Sequence, residues 1–275
     1  MDPFDPALLA ACTFIGLVAG VLGGMLGIGG GIVIVPALLM LFDARGLEPA
    51  IAAPLAVATS LGSIVFTSMA AAYAQIRRKA VEWTVVRRWA LFLILGSTAS
   101  GQVAVLFPAG ALPVFIGAFL TLAALVMFAD WRPAPHRAFP GTVPGAGIGF
   151  GAGLVSGLAG IGGGNVIVPT LVYFNVPVLR AAATASTLGV PIATFGTLGY
   201  VLSGWNNPEL PHATVGYLHL PAALAIVLLS VFGAPLGVAM AHRMPARLLK
   251  RTFAIVLIAA ATRVLYSGLT TLGWI

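Results

Sequence analysis

The sequence predicts an all-α polytopic membrane protein built from two inverted repeats, each a glycine-broken re-entrant hairpin plus three transmembrane helices. Three observations predict it. The chain is overwhelmingly apolar, one glycine-rich stretch occurs twice, and the basic residues gather in particular loops.

Of the 275 residues, 60% are hydrophobic and 8% charged, and the mean hydropathy is +1.05. A soluble domain carries about 25% charged residues, so most of this chain must face lipid or its own interior. The 34 glycines and 19 prolines sit inside apolar runs. Membrane helices tolerate both as kinks, breaks and sites of close packing. The net charge of +7 would suggest nucleic acid in a soluble protein. Here the basic residues lie in short loops between apolar runs, which is a topology signal, and no nucleic-acid partner is expected. The single cysteine, Cys12, has no intrachain disulfide partner. Asp2 and Asp5 stand where a signal peptide needs positive charge, so no signal peptide is expected.

Eight apolar segments follow in order. The first repeat, 1–133, holds a broken segment at 6–42 and spans at about 50–72, 83–107 and 112–129. A polar linker at 134–145, expected in the cytoplasm, leads to the second repeat, 146–275. That repeat has a broken segment at 146–174 and spans at about 178–202, 213–240 and 248–272.

The repeat itself is explicit. GLVAGVLGGMLGIGGGIVIVPAL from Gly16 aligns without a gap to GFGAGLVSGLAGIGGGNVIVPTL from Gly149, with 14 of 23 positions identical. AVATSLG from Ala56 matches ATASTLG from Ala183 in pattern. Internal symmetry of this kind is typical of transporters.

Charge then sets the topology. If the loop between segments two and three, the linker, the start of segment six and the loop between seven and eight are cytoplasmic, 12 of 14 basic residues lie inside. The loop between segments six and seven has no Lys or Arg, so it falls outside. The halves are then inverted, which needs an odd number of crossings in each. The broken segments supply the re-entrant hairpins, and both termini fall outside. Eight full crossings with parallel halves remain the alternative, although they put two basic loops on opposite sides.

The triple glycines, Gly29, Gly30 and Gly31 with Gly162, Gly163 and Gly164, permit backbone angles closed to other residues. A helix start after each would expose N–H groups carrying about half a positive charge, a ready anion site. Unwound backbone at membrane depth survives only against protein or a wet cavity. The earlier glycines, at four-residue spacing, fit close helix packing instead. Asn165 sits directly on the second break and suits either anion donation or capping. Thr59, Ser60, Ser186 and Thr187 occupy matching places in segments two and six and line a cavity or bond back to their own helices. Arg263 is the basic residue set deepest in a segment, a functional candidate by default that is also placed to snorkel. His219 is expected at the interface.

The seven acidic residues fall in loops, termini or segment ends. No catalytic constellation or metal motif is present, so neither enzyme activity, a metal nor a cofactor is expected. There is also no intramembrane acidic relay for proton coupling. A negative interior drives anions outward at about 2.3 kcal/mol per charge per 100 mV, so export is the expected direction.

The doubled motifs GGMLGIGGGIVIVPALL and SGLAGIGGGNVIVPTLV, with ASTLGVPIATFGTLGYV, TVGYLHLPA and APLGVAMAHRMPARLLKRTFAIVLI, resemble the sulfite exporter TauE/SafE family through nearly the whole chain. The resemblance implies a mostly bacterial permease for a small sulfur-containing anion, sulfite or an organosulfonate, in the inner membrane. It supplies no residue roles, and the oligomeric state stays open. A carrier working around a midplane site is the first expectation. An anion channel and a non-transporting scaffold remain alternatives.

Overall fold

A computed structural model describes residues 4–26, 30–128, 142–241 and 246–274. Most of the linker, together with Gly29, lies outside the described residues. The elements in order are α1 (Pro6–Leu26), α2 (Gly31–Asp43), α3 (Pro49–Arg77), α4 (Trp83–Ala104), α5 (Ala111–Phe128), α6 (Thr142–Leu158), α7 (Gly164–Tyr173), α8 (Val178–Gly204), β1 (Thr214–Val215), β2 (Leu218–His219), α9 (Leu220–Ala241) and α10 (Ala246–Thr271). Each glycine-broken segment is thus two helices. Three stretches, Pro6–Gly23, Pro49–Arg77 and Leu179–Gly204, are long and apolar enough to cross a bilayer, and shorter apolar helices accompany them. The chain is an all-α, multi-pass membrane protein.

Local chemistry sets the starts. Pro49 opens α3 at its first position, where the missing N–H costs nothing. Pro36 in α2 and Pro169 in α7 fall at the same place after each break, so both short helices lack the same internal hydrogen bond.

Glycines let helix backbones touch, and the contacts give the packing order. A Cβ on Gly16 would strike the Ile226 carbonyl, and one on Gly20 would meet Ser230. These contacts lock α1 onto α9, with residue numbers rising together, so the two helices run parallel. Gly149, Gly153 and Gly157 lock α6 onto Trp89, Leu93 and Ser100 of α4 in the same parallel sense. The first helix of each half therefore rests on the fourth helix of the other half. Two other cross-half pairs run the opposite way. Gly62 meets Thr197 while Ser68 meets Gly189, so α3 and α8 are antiparallel. Gly110 meets Gly268 while Gly117 meets Leu265, so α5 and α10 are antiparallel too.

One boundary differs from expectation in kind. The helix expected from 213 starts at Leu220, and the preceding residues form a hairpin pairing Thr214 with His219 and Val215 with Leu218. Ala213 has φ 62° and Gly216 has φ 53°, left-handed conformations that no helix accommodates. At Gly216 a Cβ would also run into the Val201 carbonyl, so α8 holds the hairpin close.

Candidate substrate site at the two glycine turns

Both breaks use one geometry. Gly30 caps α2 with φ 74° and ψ −18°, and Gly163 caps α7 with φ 85° and ψ −18°. Val33 and Val166 N–H donate to the Gly30 and Gly163 carbonyls at 3.0 and 3.1 Å. The N–H groups ahead of them, on Gly31 and Ile32 and on Gly164 and Asn165, have no carbonyl partner within their own helices. Positive φ with a following helix is the reason glycine stands here.

The two breaks meet. A Cβ on Gly31 would lie 2.7 Å from the Gly160 carbonyl oxygen and 3.1 Å from Ile161 Cα. The start of α2 therefore abuts the second turn. Ser60 Oγ on α3 donates to the Gly160 carbonyl at 2.9 Å. On the other side, a Cβ on Gly189 of α8 would lie 2.7 Å from the Gly162 carbonyl oxygen and 3.1 Å from Ser68 Oγ. The crossing of α3 and α8 covers the second turn, Ile64 of α3 also reaches Gly31, and Gly30, Gly31, Gly162, Gly163 and Gly164 are all buried.

Asn165 lies in the first turn of α7, and its buried Nδ2 has no partner among the described residues. On the other flank of the turn, Ser156 Oγ is likewise buried and unpartnered. Each such group costs about 1–3 kcal/mol when left without a partner. The sequence singled out Asn165 but not Ser156, whose repeat mate is Gly23. That departure from the repeat was the available signal.

The other candidates lie differently. Thr59 is buried, and its hydroxyl accepts the His219 N–H at 3.2 Å. Ser186 and Thr187 donate to the Ala182 and Ala183 carbonyls of their own helix at 2.9 and 3.0 Å. Arg263 is not brought to the turns. It is half-exposed, lies 3.8 Å from Asp43, and shares a shallow surface cleft with Leu39, Pro113 and Ser267. His219, expected at the interface, is fully buried instead, because the hairpin carries it inward against α3.

Ion pairs mark the two ends of the bundle. Arg180, in the first turn of α8, pairs with Glu82 at the head of α4, and the Glu82 N–H donates to Thr184 Oγ1 at 2.9 Å. At the opposite end Arg45 holds Asp5 at 2.7 Å. A wide depression there, about 970 Å³, is bordered by Arg45, Glu48, Glu209 and His212.

A bundle of apolar helices with paired glycine breaks defines a class, the polytopic α-helical membrane proteins, and comparison with known proteins narrows it. The family described as "Sulfite exporter TauE/SafE" matches residues 12–264, and this chain belongs to that family of membrane transporters. It is 32% identical to a "Probable membrane transporter protein" of Haemophilus influenzae, over 91% of this chain and 95% of that one. It is 30% identical to the "Probable membrane transporter protein YunE" of Bacillus subtilis, over 93% and 96% of the two chains. A shorter match, 34% identical over 32% of this chain and 20% of the other, is to the "Sulfite exporter TauE/SafE family protein 5" of Arabidopsis thaliana. No solved structure matches.

Proposed function

We propose that this chain exports a small sulfur-containing anion, sulfite or an organosulfonate, by alternating access around the two glycine turns. The observation that carries the proposal is the contact of Gly31, at the start of α2, with the second glycine turn at Gly160 and Ile161, where left-handed Gly30 and Gly163 each open a helix whose first N–H groups lack intrahelical partners. Such helix starts favour an anion through their partial positive charge. The unpartnered Asn165 Nδ2 adds a neutral donor at the same place. The set thus suits Gly30, Gly31, Gly162, Gly163, Gly164 and Asn165 as anion contacts, with Ser60 holding the second turn in position. The burial of these glycines favours a carrier, because an anion gains access only when the halves part.

Inversion of the repeats is supported by the opposite run of their mates, α3 against α8 and α5 against α10. It would set the end bearing Arg77, Arg78, Lys79, Arg87, Arg88 and Arg180 in the cytoplasm. The end bearing Asp5 and Arg45 would face outward, with both termini. A bacterial inner membrane is the proposed location.

The test is flux of labelled sulfite and of sulfonates from proteoliposomes holding the purified protein, with counterflow separating carrier from channel. Saturable efflux driven by a negative interior is expected. Accumulation in right-side-out vesicles at negative interior potential, without an ion gradient, would contradict export.

A further inference from the structure

Helix α4 opens with WTVVRRWALFLIL and buries one side. Val85, Trp89 and Leu93 recur every four residues, and all three are buried in a core shared with α6, α7 and α8. Residues at that spacing lie on one side of a helix. The opposite side carries Arg87, Arg88, Leu91 and Leu95, all exposed. They too fall at three- and four-residue spacing, so they form one stripe that runs from basic to apolar within a turn. No described element covers this stripe, and in a membrane protein its leucines meet lipid.

Depth makes the two arginines unusual. The helix has 22 residues, about 33 Å, close to the ~30 Å of the hydrocarbon core. Trp83 opens it and is exposed, the place of an interfacial aromatic. Arg87 and Arg88 follow about 6–8 Å further along the axis. They therefore stand where headgroups give way to acyl chains, on the side away from the protein.

A charge inside a span normally faces the bundle interior or pairs with another group. These two do neither. Glu82, the acidic residue described at this end, is held by Arg180. Asp5, Asp43, Glu48 and Glu209 lie at the far end with Arg45 and Arg263. Arg77, at the end of α3, rests over the Tyr73 ring at 5.7 Å. Arg87 and Arg88 have neither a carboxylate nor a ring among the described residues. Long basic side chains snorkel toward the headgroups, and a guanidinium meets a phosphate with two parallel hydrogen bonds. The stripe has the order of a phospholipid, with the place for phosphate first and the place for acyl chains after it.

We infer that Arg87 and Arg88 form a binding site for an anionic phospholipid, its phosphate on the two guanidinium groups and its acyl chains along Leu91 and Leu95. Arg77, Arg78 and Lys79, all exposed a short loop away, add positive field. That field favours a headgroup of net negative charge over a zwitterionic one. The site is independent of the transported anion.

The test is native mass spectrometry of the detergent-purified protein, titrated with phosphatidylglycerol or with phosphatidylcholine of the same acyl chains. Wild type should retain phosphatidylglycerol at about tenfold lower concentration. The double variant Arg87→Gln/Arg88→Gln should lose most of that preference, and Arg87→Lys/Arg88→Lys should keep a larger share of it. Arg263→Gln, at the other end of the bundle, should match wild type. Millimolar inorganic phosphate should leave the lipid bound. Equal retention of the two lipids by wild type would overturn the inference, as would an unchanged preference in a monodisperse Arg87→Gln/Arg88→Gln. Displacement by phosphate would mark the arginines as a site for free anions and would overturn it too. If the double variant does not fold, a photoactivatable phosphatidylglycerol crosslinked to wild type decides. Adducts should fall within 83–95, and adducts confined to other segments would refute the site.

Discussion

The Ser60 hydroxyl donates to the Gly160 carbonyl at 2.9 Å, joining residues 100 positions apart. One half's helix thereby supports the other half's turn. Ser60→Ala leaves a buried carbonyl unpaired and should cost about 1–3 kcal/mol. Thr187→Ala, at the matching position, removes only a bond to its own helix, so its effect should stay within about 0.5 kcal/mol. Thermal midpoints of the two variants in one detergent check this. Equal shifts would refute the asymmetry.

Gly30 and Gly163 are held at φ 74° and 85°, where any other L-residue loses about 1–2 kcal/mol. A Cβ would also lie 2.9 Å from the Ala19 carbonyl oxygen at Gly30, and 2.7 Å from Ile192 Cδ1 at Gly163. Gly30→Val and Gly163→Val should therefore reduce sulfite flux more than tenfold. Near-normal flux in either variant would argue that the turns do not form the site.

Gly153 and Gly151 share a helix and differ in surroundings. A Cβ on Gly153 strikes the Leu93 carbonyl, while one on Gly151 meets nothing within 4 Å. Gly153→Leu should force α6 off α4 and abolish the monodisperse size-exclusion peak. Gly151→Leu should leave that peak in place.

The topology predicts opposite labelling of two loop sets. Ala109 and Asn206 are exposed, and cysteines placed there, in a Cys12→Ala background, should react with an impermeant maleimide from outside intact cells. Lys79→Cys should react only after permeabilisation. Labelling of Ala109→Cys from the cytoplasm alone would reverse the inverted arrangement. Gly110 itself is unsuited, because a side chain there would press on Gly268.

Asp5 lies ahead of α1, and its carboxyl is held below 3.8, chiefly by the Ala7 N–H, against a smaller opposing effect of burial, with Arg45 assisting. A depressed folded pKa gives stability that is present above the ordinary carboxylate value and lost as pH falls through the folded one. Carboxyl ¹³C titration of Asp5 should give a midpoint below 3.8. Asp5 titrating at or above that value would contradict the Ala7 contact.

The breaks were legible because positive φ before a helix selects glycine, and GIGGG stands at both places. Asn165 was legible as the polar residue on one break. Ser60 was legible as a candidate, but its acceptor was not, since Gly160 is brought to it only by tertiary packing. Ser186 and Thr187 share its sequence pattern yet satisfy themselves within α8. Arg263 was conspicuous for its depth along the segment, but α10 packs beside the end of α2, so the guanidinium lies near the Asp43 carboxylate. The hairpin before α9 was hidden because TVGYLH is too short for strand alternation to stand out from an apolar run. His219 was misplaced with it.

The docking of α1 onto α9 has a consequence for biosynthesis. The glycine face of α1 leaves the ribosome long before Ile226 and Ser230 exist. At about 5–20 residues per second, it waits on the order of ten to forty seconds for its partner. During that interval the nascent first half must be sheltered by the insertion machinery or by a placeholder helix. A ribosome stalled before α9 should therefore expose α1 to crosslinking with whatever protein occupies that seat.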